Sequence, residues 1–167
     1  MVIGPESTGK STLSEALAKE LNTVWVPEYA RKYLEQRNNL YTEADLALIA
    51  KGQIATEDSA AAKAGDWLVC DTDLNVIKVW AEHKYKRCDQ RVLEEIAKRK
   101  YDLYLLTYID IAWEEDPLRE HAEEDMRQYF YNVYRDIVQN SGLPWADIRG
   151  EHETRLTTAL NAIHDLR

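Results

Sequence analysis

Residues Gly4, Pro5, Glu6, Ser7, Thr8, Gly9, Lys10 and Ser11 follow the spacing G-x-x-x-x-G-K-[ST], in which each conserved residue type has a phosphate-binding task. Gly4 and Gly9 allow a tight turn that aims successive backbone N–H groups at phosphate oxygens. Lys10 has the reach for β- and γ-phosphates, and the Ser11 hydroxyl is a ligand type suited to Mg²⁺. A helix opening directly after the loop adds the positive end of its dipole to the same anion. The candidate nucleotide contacts are therefore Gly4, Glu6, Ser7, Thr8, Gly9, Lys10, Ser11 and Thr12. The flanks agree with this reading. Met1, Val2 and Ile3 read as the apolar end of a strand, with a trimmed beginning as the expectation, and Leu13, Ala16, Leu17 and Leu21 recur at helical spacing. The loop predicts binding of a nucleoside triphosphate.

A second set of reactive residues follows the other apolar runs. Asp71 comes directly after Trp67, Leu68, Val69 and Cys70, where a carboxylate at a strand tip can hold Mg²⁺ directly or through water. Asp73 lies two residues on. Either of the pair can orient or deprotonate an acceptor hydroxyl while the other serves the metal, with N-capping of the next helix as the structural alternative for Asp73. Glu28, Tyr29 and Arg31 follow the second strand, on the side of the cleft where an acceptor would lie. Tyr29 offers a flat face, and Glu28 can accept hydrogen bonds from sugar hydroxyls. Trp80, Tyr85 and Tyr108 are further aromatic candidates for an acceptor pocket. Arg119, at the end of the segment from Trp113, is placed to meet the transferring phosphoryl group and stabilise its charge. Arg127 reads instead as a partner in helix-surface salt bridging with Glu120, Glu123 and Glu124.

The elements that must position these residues are legible as alternation. Short apolar runs at Val2–Ile3, Val24–Val26, Trp67–Cys70, Leu103–Leu106 and Trp145–Ile148 alternate with helical patterns at about 10–21, 29–37, 43–63, 73–83, 89–99, 120–141 and 152–166. Continuous rather than alternating apolar strands are covered on both faces. The expected fold is α/β, a P-loop NTPase or kinase built on a parallel five-stranded sheet with helices on both faces. Ligands in such folds lie at the carboxyl ends of the strands. That rule selects the phosphate loop, residues 27–31, 71–73 and 107–119, and Arg149–Gly150. Thr42 with Asp45 at N3 starts the longest helix, Gly142 and Pro144 stop the 120–141 helix, and Leu156, Leu160 and Ile163 form a stripe on the last.

Composition narrows the partners. A length of 167 residues without repeats or linkers reads as one domain, with a net charge of −9 that argues against a nucleic-acid surface. The run Lys98-Arg99-Lys100 reads as a solvated helix end. No apolar run approaches the ~20 residues of a membrane span. Cys70 and Cys88 do not suggest a disulfide framework, and His83, His121, His152 and His164 lack zinc-like spacing. A cytoplasmic protein acting on a small-molecule substrate fits; oligomeric state is not encoded in any visible motif.

Taken together and in order, the phosphate loop with Thr12, Pro27-Glu28-Tyr29-Ala30-Arg31, Asp71-Thr72-Asp73, the Trp113-to-Arg119 segment and Pro144 to Gly150 resemble the nicotinamide riboside kinase domain of NadR-type NAD-biosynthesis proteins. The resemblance implies a P-loop kinase that uses Mg²⁺ and ATP to phosphorylate the 5′-hydroxyl of nicotinamide riboside. By position it implies that Gly9, Lys10, Ser11 and Thr12 hold ATP and magnesium, and that Asp71 and Asp73 serve metal and acceptor. It further implies that Glu28 and Tyr29 border the riboside and that Arg119 belongs to a lid. The adenylyltransferase and DNA-binding parts found in some NadR proteins have no counterpart in these motifs, so neither activity is implied. The alternatives are a kinase of another nucleoside or nucleotide, or an ATP-binding regulatory protein. No Asn-Lys-x-Asp guanine-reading segment points to a GTPase.

Overall fold

The computed structural model describes residues 1–117 and 123–166. Five short strands and seven helices alternate along them: β1 (Val2–Ile3), α1 (Lys10–Glu20), β2 (Trp25–Val26), α2 (Tyr29–Glu35), α3 (Glu43–Ala61), β3 (Val69–Cys70), α4 (Leu74–Tyr85), α5 (Gln90–Lys98), β4 (Tyr104–Thr107), α6 (Glu124–Asn140), β5 (Trp145–Ile148) and α7 (His152–His164). All pairings are parallel. β1 pairs with β4 (Val2 opposite Leu105) and β4 with β5 (Tyr104 opposite Trp145), while β2 pairs with β3 (Trp25 opposite Val69).

The expected five-stranded sheet is instead a sheet of three strands, β1-β4-β5, and a sheet of two, β2-β3. A single bridge between Val2 and Asp71 joins them, backed by the Thr72 N–H donating to the Val2 carbonyl at 3.0 Å. The reason is local. β1 and β3 supply two residues each, and Thr72 turns out of the strand in a left-handed conformation (φ +76°) before a longer ladder can form.

Helices do cover both faces, and the two-residue period of the strands shows how. Val2, Val69, Leu105 and Ile148 pack against Leu13 and Leu17 of α1 and Ala159 and Ile163 of α7. Their neighbours Ile3, Tyr104 and Leu106 face Val79 of α4 and Phe130, Tyr131, Tyr134 and Val138 of α6. A third core joins α2, α3, α4 and α5 through Leu34, Leu46, Ile49, Leu74, Ile77 and Val92. Leu106 is fully buried, so its truncation to alanine would cost about 2–5 kcal/mol.

Of the run 98–100, Lys98 and Lys100 are exposed as expected, while Arg99 is partly buried and bonds to Glu57 Oε2 (3.1 Å) and Asp58 Oδ1 (2.6 Å) on α3. Among the described residues no helix is long and apolar enough to cross a membrane, and no His/Cys/Asp/Glu cluster has the geometry of a metal site.

At the start of α3 the Asp45 carboxylate accepts from the Thr42 N–H (2.8 Å), the Thr42 hydroxyl (2.7 Å) and the Tyr33 hydroxyl (2.6 Å). These bonds, the Tyr33 one foremost, hold its pKa at about 2, below the ordinary 3.8. A carboxyl with a depressed folded-state pKa binds fewer protons folded than unfolded. Its contribution is therefore complete above about pH 4 and is lost as the pH falls towards 2. The urea midpoint of Asp45→Asn should lie below that of the unsubstituted protein at pH 6, and the gap should close between pH 4 and pH 2. A gap that persists at pH 2 would show that the carboxylate's charge is not its source.

Candidate active site

The chain leaves β1 at Ile3, wraps through the loop and enters α1 at Lys10. Gly4 adopts φ +150°, and a Cβ there would stand 2.4 Å from the Thr107 hydroxyl on β4, so this position admits only glycine. Gly9 takes φ +74° as the N-cap of α1. Ser7 is also left-handed, at φ +53°. The Thr8 hydroxyl donates to the Pro5 carbonyl (2.8 Å) and shares a hydrogen bond with the Thr107 hydroxyl (2.7 Å), which ties the loop to β4. α1 has neither a capping side chain nor an acid in its first turn. Its orphan N–H groups and dipole are therefore uncompensated by its own side chains, as an anion site requires. Lys10 folds over the loop, its Nζ 2.7 Å from the Pro5 carbonyl.

Asp71 reaches this loop from the end of β3. Its carboxylate accepts from the Ser11 hydroxyl at 2.5 Å, and the residue is 1% exposed. Burial raises its pKa, opposed by the charge of Lys10 and by the Ser11 hydrogen bond. A hydroxyl and a carboxylate side by side at the mouth of a phosphate loop form a hard-oxygen donor pair of the kind Mg²⁺ prefers.

One cavity of about 360 Å³ runs from the loop to the second strand. Gly4 and the residues from Glu6 to Leu13 line one part; Glu28, Ala30, Arg31, Leu34, Val76, Trp80 and Tyr134 line the other. Burial raises the Glu28 pKa, with Asp71 and Glu6 adding to the shift and Lys10 and Arg31 opposing it. Trp80 is held by stacking on Tyr41, with ring centroids 5.4 Å apart and planes 19° apart. The cavity thus offers an anion-binding end and an acidic, partly aromatic end.

Several candidates lie elsewhere. Tyr29 packs away from the cavity onto α3, where its ring occupies the space a Cβ at Gly52 would need (2.1 Å from Cε1). Asp73 N-caps α4: its buried carboxylate accepts from the Asn75 N–H (2.9 Å), the Asn75 amide (2.6 Å) and the Tyr104 hydroxyl (3.0 Å). Tyr85 joins the α2–α5 core. Tyr108 carries the Arg149 guanidinium over its ring at 3.6 Å. Arg119 and His121 lie outside the described residues.

Arg127 departs from its expected surface pairing. It is 8% exposed and donates to the carbonyls of Ser7 (3.2 Å) and Ile111 (3.0 Å), with its guanidinium 5.7 Å from the centre of the Trp113 ring. It fastens the segment after β4 to the phosphate loop, as does the Glu114 N–H bond to the Ser7 hydroxyl (3.0 Å). Near the other end of that segment Asp116 meets Arg31 at 2.9 Å.

Arg155 was not anticipated at all. From α7 it donates to the carbonyls of Thr8 (2.9 Å), Gly150 (2.7 Å) and Tyr108 (3.1 Å) and pairs with Asp110. In sequence it is one charged residue in a polar stretch of helix. The only pointer was its distance of five residues from Gly150, in a loop already selected by the strand-end rule.

Comparison with known proteins agrees with this geometry. Residues 1–155 match the model of a family described as AAA domain. The trifunctional NAD biosynthesis/regulator protein NadR of Escherichia coli K12 and that of Salmonella typhimurium LT2 are each 24% identical over 172 aligned positions, covering 99% of this chain. Two solved structures share the fold over 99% of the chain. One is a NadR protein in complex with NAD and AMP-PNP (TM-score 0.76, 26% identity), the other a NadR protein in complex with NR (TM-score 0.77, 25% identity). The chain spans 42% of the curated relatives and 48% of the solved chains, under half of each. The resemblance to a NadR-type P-loop kinase domain, read from the motifs, is thereby borne out.

Arg155 yields a prediction independent of substrate. Replacing it by methionine strips three carbonyls of this donor and removes the cation paired with Asp110, which keeps the Gly150 N–H, a loss on the order of 3 kcal/mol. Urea denaturation of Arg155→Met should show that loss, and isothermal titration should show weakened binding of AMP-PNP. Unchanged values of both would mean that Arg155 does not hold the loop in shape.

Proposed function

We propose, on the premise that the chain belongs to the AAA domain family, that it transfers the γ-phosphoryl group of ATP to the 5′-hydroxyl of nicotinamide riboside, giving nicotinamide mononucleotide. The observation that carries this reading is the single cavity in which the phosphate loop and the Glu28–Arg31–Trp80 wall face the same space. Donor and acceptor can then lie end to end without either leaving the protein. The similarity to a NadR protein solved with NR and to one solved with AMP-PNP supports the two ligands. The cationic pyridinium of nicotinamide riboside suits a wall that pairs the acid Glu28 with the face of Trp80. The expected setting is the cytoplasm.

In the reaction the acceptor oxygen forms a bond to the γ-phosphorus while the bond to the β–γ bridging oxygen breaks. ADP leaves, and the hydroxyl proton passes to a carboxylate or to water. Little covalent chemistry falls to the protein, so its contribution is positioning and charge neutralisation. The loop amides and the N-terminus of α1 hold the phosphates. Lys10 exchanges its bond to the Pro5 carbonyl for the β- and γ-oxygens. Ser11 and Asp71 would hold Mg²⁺, which when bound neutralises charge on the same oxygens. Glu28 and Arg31 orient the ribose, and Trp80 covers the ring. Arg119 would be delivered to the transferring group from the segment beyond Pro117. Asp73, committed to Asn75 and Tyr104, keeps α4 in register and so acts on the site through Val76 and Trp80.

The test is ADP production from Mg-ATP with nicotinamide riboside beside a panel of ribo- and deoxyribonucleosides. Acceleration by nicotinamide riboside alone is the expected result. Turnover with another nucleoside would keep the kinase and change its acceptor, and no acceptor-dependent turnover would leave an ATP-binding regulatory protein. Lys10→Ala and Asp71→Ala should each lower turnover by about 10²-fold or more with unchanged circular dichroism. Trp80→Ala should raise the KM for the acceptor more than that for ATP; equal effects would place Trp80 in the scaffold.

A further inference from the structure

We infer that Gln53 is a positioning residue that fixes Glu28 and Asp71 with one side chain, an inference whose catalytic readout rests on the kinase reading above. Gln53 sits in the middle of α3, 2% exposed, and does not line the cavity. Its Oε1 accepts from the Tyr29 N–H at 2.9 Å. Its Nε2 donates to the Thr72 carbonyl at 3.2 Å and to Glu57 Oε1 at 3.1 Å. The amide orientation follows, because a backbone N–H needs an oxygen and a carbonyl and a carboxylate need the NH₂.

Each end of this bridge solves a problem next to a site residue. Tyr29 begins α2, so its N–H has no partner within the helix. Glu28 is the N-cap, whose side chain could reach only the second or third N–H of the helix, and it makes no capping bond. Gln53 satisfies the first N–H from outside the helix, and the Glu28 carboxylate stays with the cavity.

At the other end, Thr72 is β-branched and left-handed at φ +76°, a conformation costing on the order of 1–3 kcal/mol unless its surroundings impose it. Three hydrogen bonds impose it. The Thr72 N–H donates to Val2 (3.0 Å), its hydroxyl to Asp71 Oδ1 (3.3 Å), and its carbonyl accepts from Gln53. Without Gln53 the Thr72 carbonyl is buried and unpaired, and the strained peptide is free to relax. Asp71, one residue back, would then lose its alignment with Ser11.

Behind Gln53 the chain of contacts continues to rigid ground. Glu57 Oε2 accepts from Arg99 Nε (3.1 Å) and the Tyr101 hydroxyl (3.1 Å), so the amide is held from behind as well as in front. This arrangement resembles the outer shell of a metal site, where removal of a supporting partner costs about 10–100-fold in metal affinity or activity.

Gln53→Met keeps the length and removes every hydrogen bond. AMP-PNP binding to the variant and the unsubstituted chain is measured by isothermal titration with and without Mg²⁺, beside urea denaturation. The expected result is Mg²⁺-free affinity within about twofold of the unsubstituted value and a Mg²⁺-dependent tightening reduced by about 10-fold or more. In turnover with nicotinamide riboside, kcat should fall about 10–100-fold, and the KM for Mg-ATP should rise with the lost Mg²⁺ tightening. If Gln53→Met does not fold, Gln53→Glu serves. It keeps the acceptor for Tyr29 but sets a carboxylate against the Thr72 carbonyl and Glu57, and the same loss of Mg²⁺ tightening is expected.

A folded variant with Mg²⁺ tightening and kcat intact would overturn the inference. So would equal weakening with and without Mg²⁺, which is what a merely structural residue gives, or an unsubstituted chain that shows no Mg²⁺ tightening. An unsubstituted chain that tightens with Mg²⁺ yet phosphorylates no nucleoside would defeat the kinase reading alone, and the Mg²⁺ comparison would still decide the role of Gln53.

Discussion

One parallel bridge, Val2 to Asp71, joins the two small sheets, and the geometry of the candidate site hangs on it. β1 leads straight into the phosphate loop, and β3 ends on the carboxylate that meets Ser11. Had β1 and β3 been longer, their ladder would have absorbed Asp71 into a regular strand, where its neighbour could not turn away. The two-residue strands leave room for the left-handed Thr72 immediately after the bridge. Pairing therefore sets the height of Asp71 against the loop, and the turn frees the chain to begin α4. Short strands weaken the sheet as a ladder, and the packing of Val2, Leu105 and Ile148 between α1 and α7 compensates.

The same region concentrates charge in a way that stability alone would not favour. Burial raises the pKa of both Glu28 and Asp71, and at Glu28 the charges of Asp71 and Glu6 add to the shift while Lys10 and Arg31 oppose it. Carboxylates placed against a site for phosphates would repel the ligand if nothing intervened. On the proposed function, a divalent cation held by Ser11 and Asp71 would remove that conflict, and the acid at the far end would suit a cationic acceptor. The arginines do the opposite work. Arg127 and Arg155 spend their donors on loop carbonyls, so they shape the loop from behind and leave the charge in front of it to Lys10.

What could be read from the sequence followed local rules. The loop, the helices after it, the Thr42–Asp45 start of α3 and the stop at Gly142 are each set within a few residues of chain, where residue type and spacing decide the outcome. The strand-end rule also selected loops that meet at the cavity: the phosphate loop, Glu28, Ala30 and Arg31, Ile111 and Glu114, and Gly150 all line it. The errors concern residues whose partners are far away in the chain. Tyr29 looked like a flat binding surface because it follows the second strand beside Glu28, but one step along a helix start turns its ring onto Gly52. Arg127 looked like a surface charge, and Arg155 drew no reading, because a charged residue in a polar helix carries no mark of the buried carbonyls it will meet. The division of the sheet was hidden for a related reason: strand pairing is decided across the chain, and two-residue strands give almost no pattern.

Gln53 belongs to the same category and shows why it matters. Glutamine in the middle of an amphipathic helix reads as a solvent-facing residue, yet here it is enclosed, and both polar ends of its amide are used. A hydrophobic residue in its place would pack well and would leave the Tyr29 N–H, the Thr72 carbonyl and Glu57 without it. What the amide supplies beyond those bonds is a fixed distance between the turn that carries Glu28 and the turn that carries Asp71. The phosphate loop is shaped from behind by arginines and the two acids from behind by a glutamine, so the groups that face the cavity remain uncommitted to the scaffold or bound to it by contacts a ligand can replace. In this fold the polar interior serves position more than stability, which is where phosphoryl transfer places its demand.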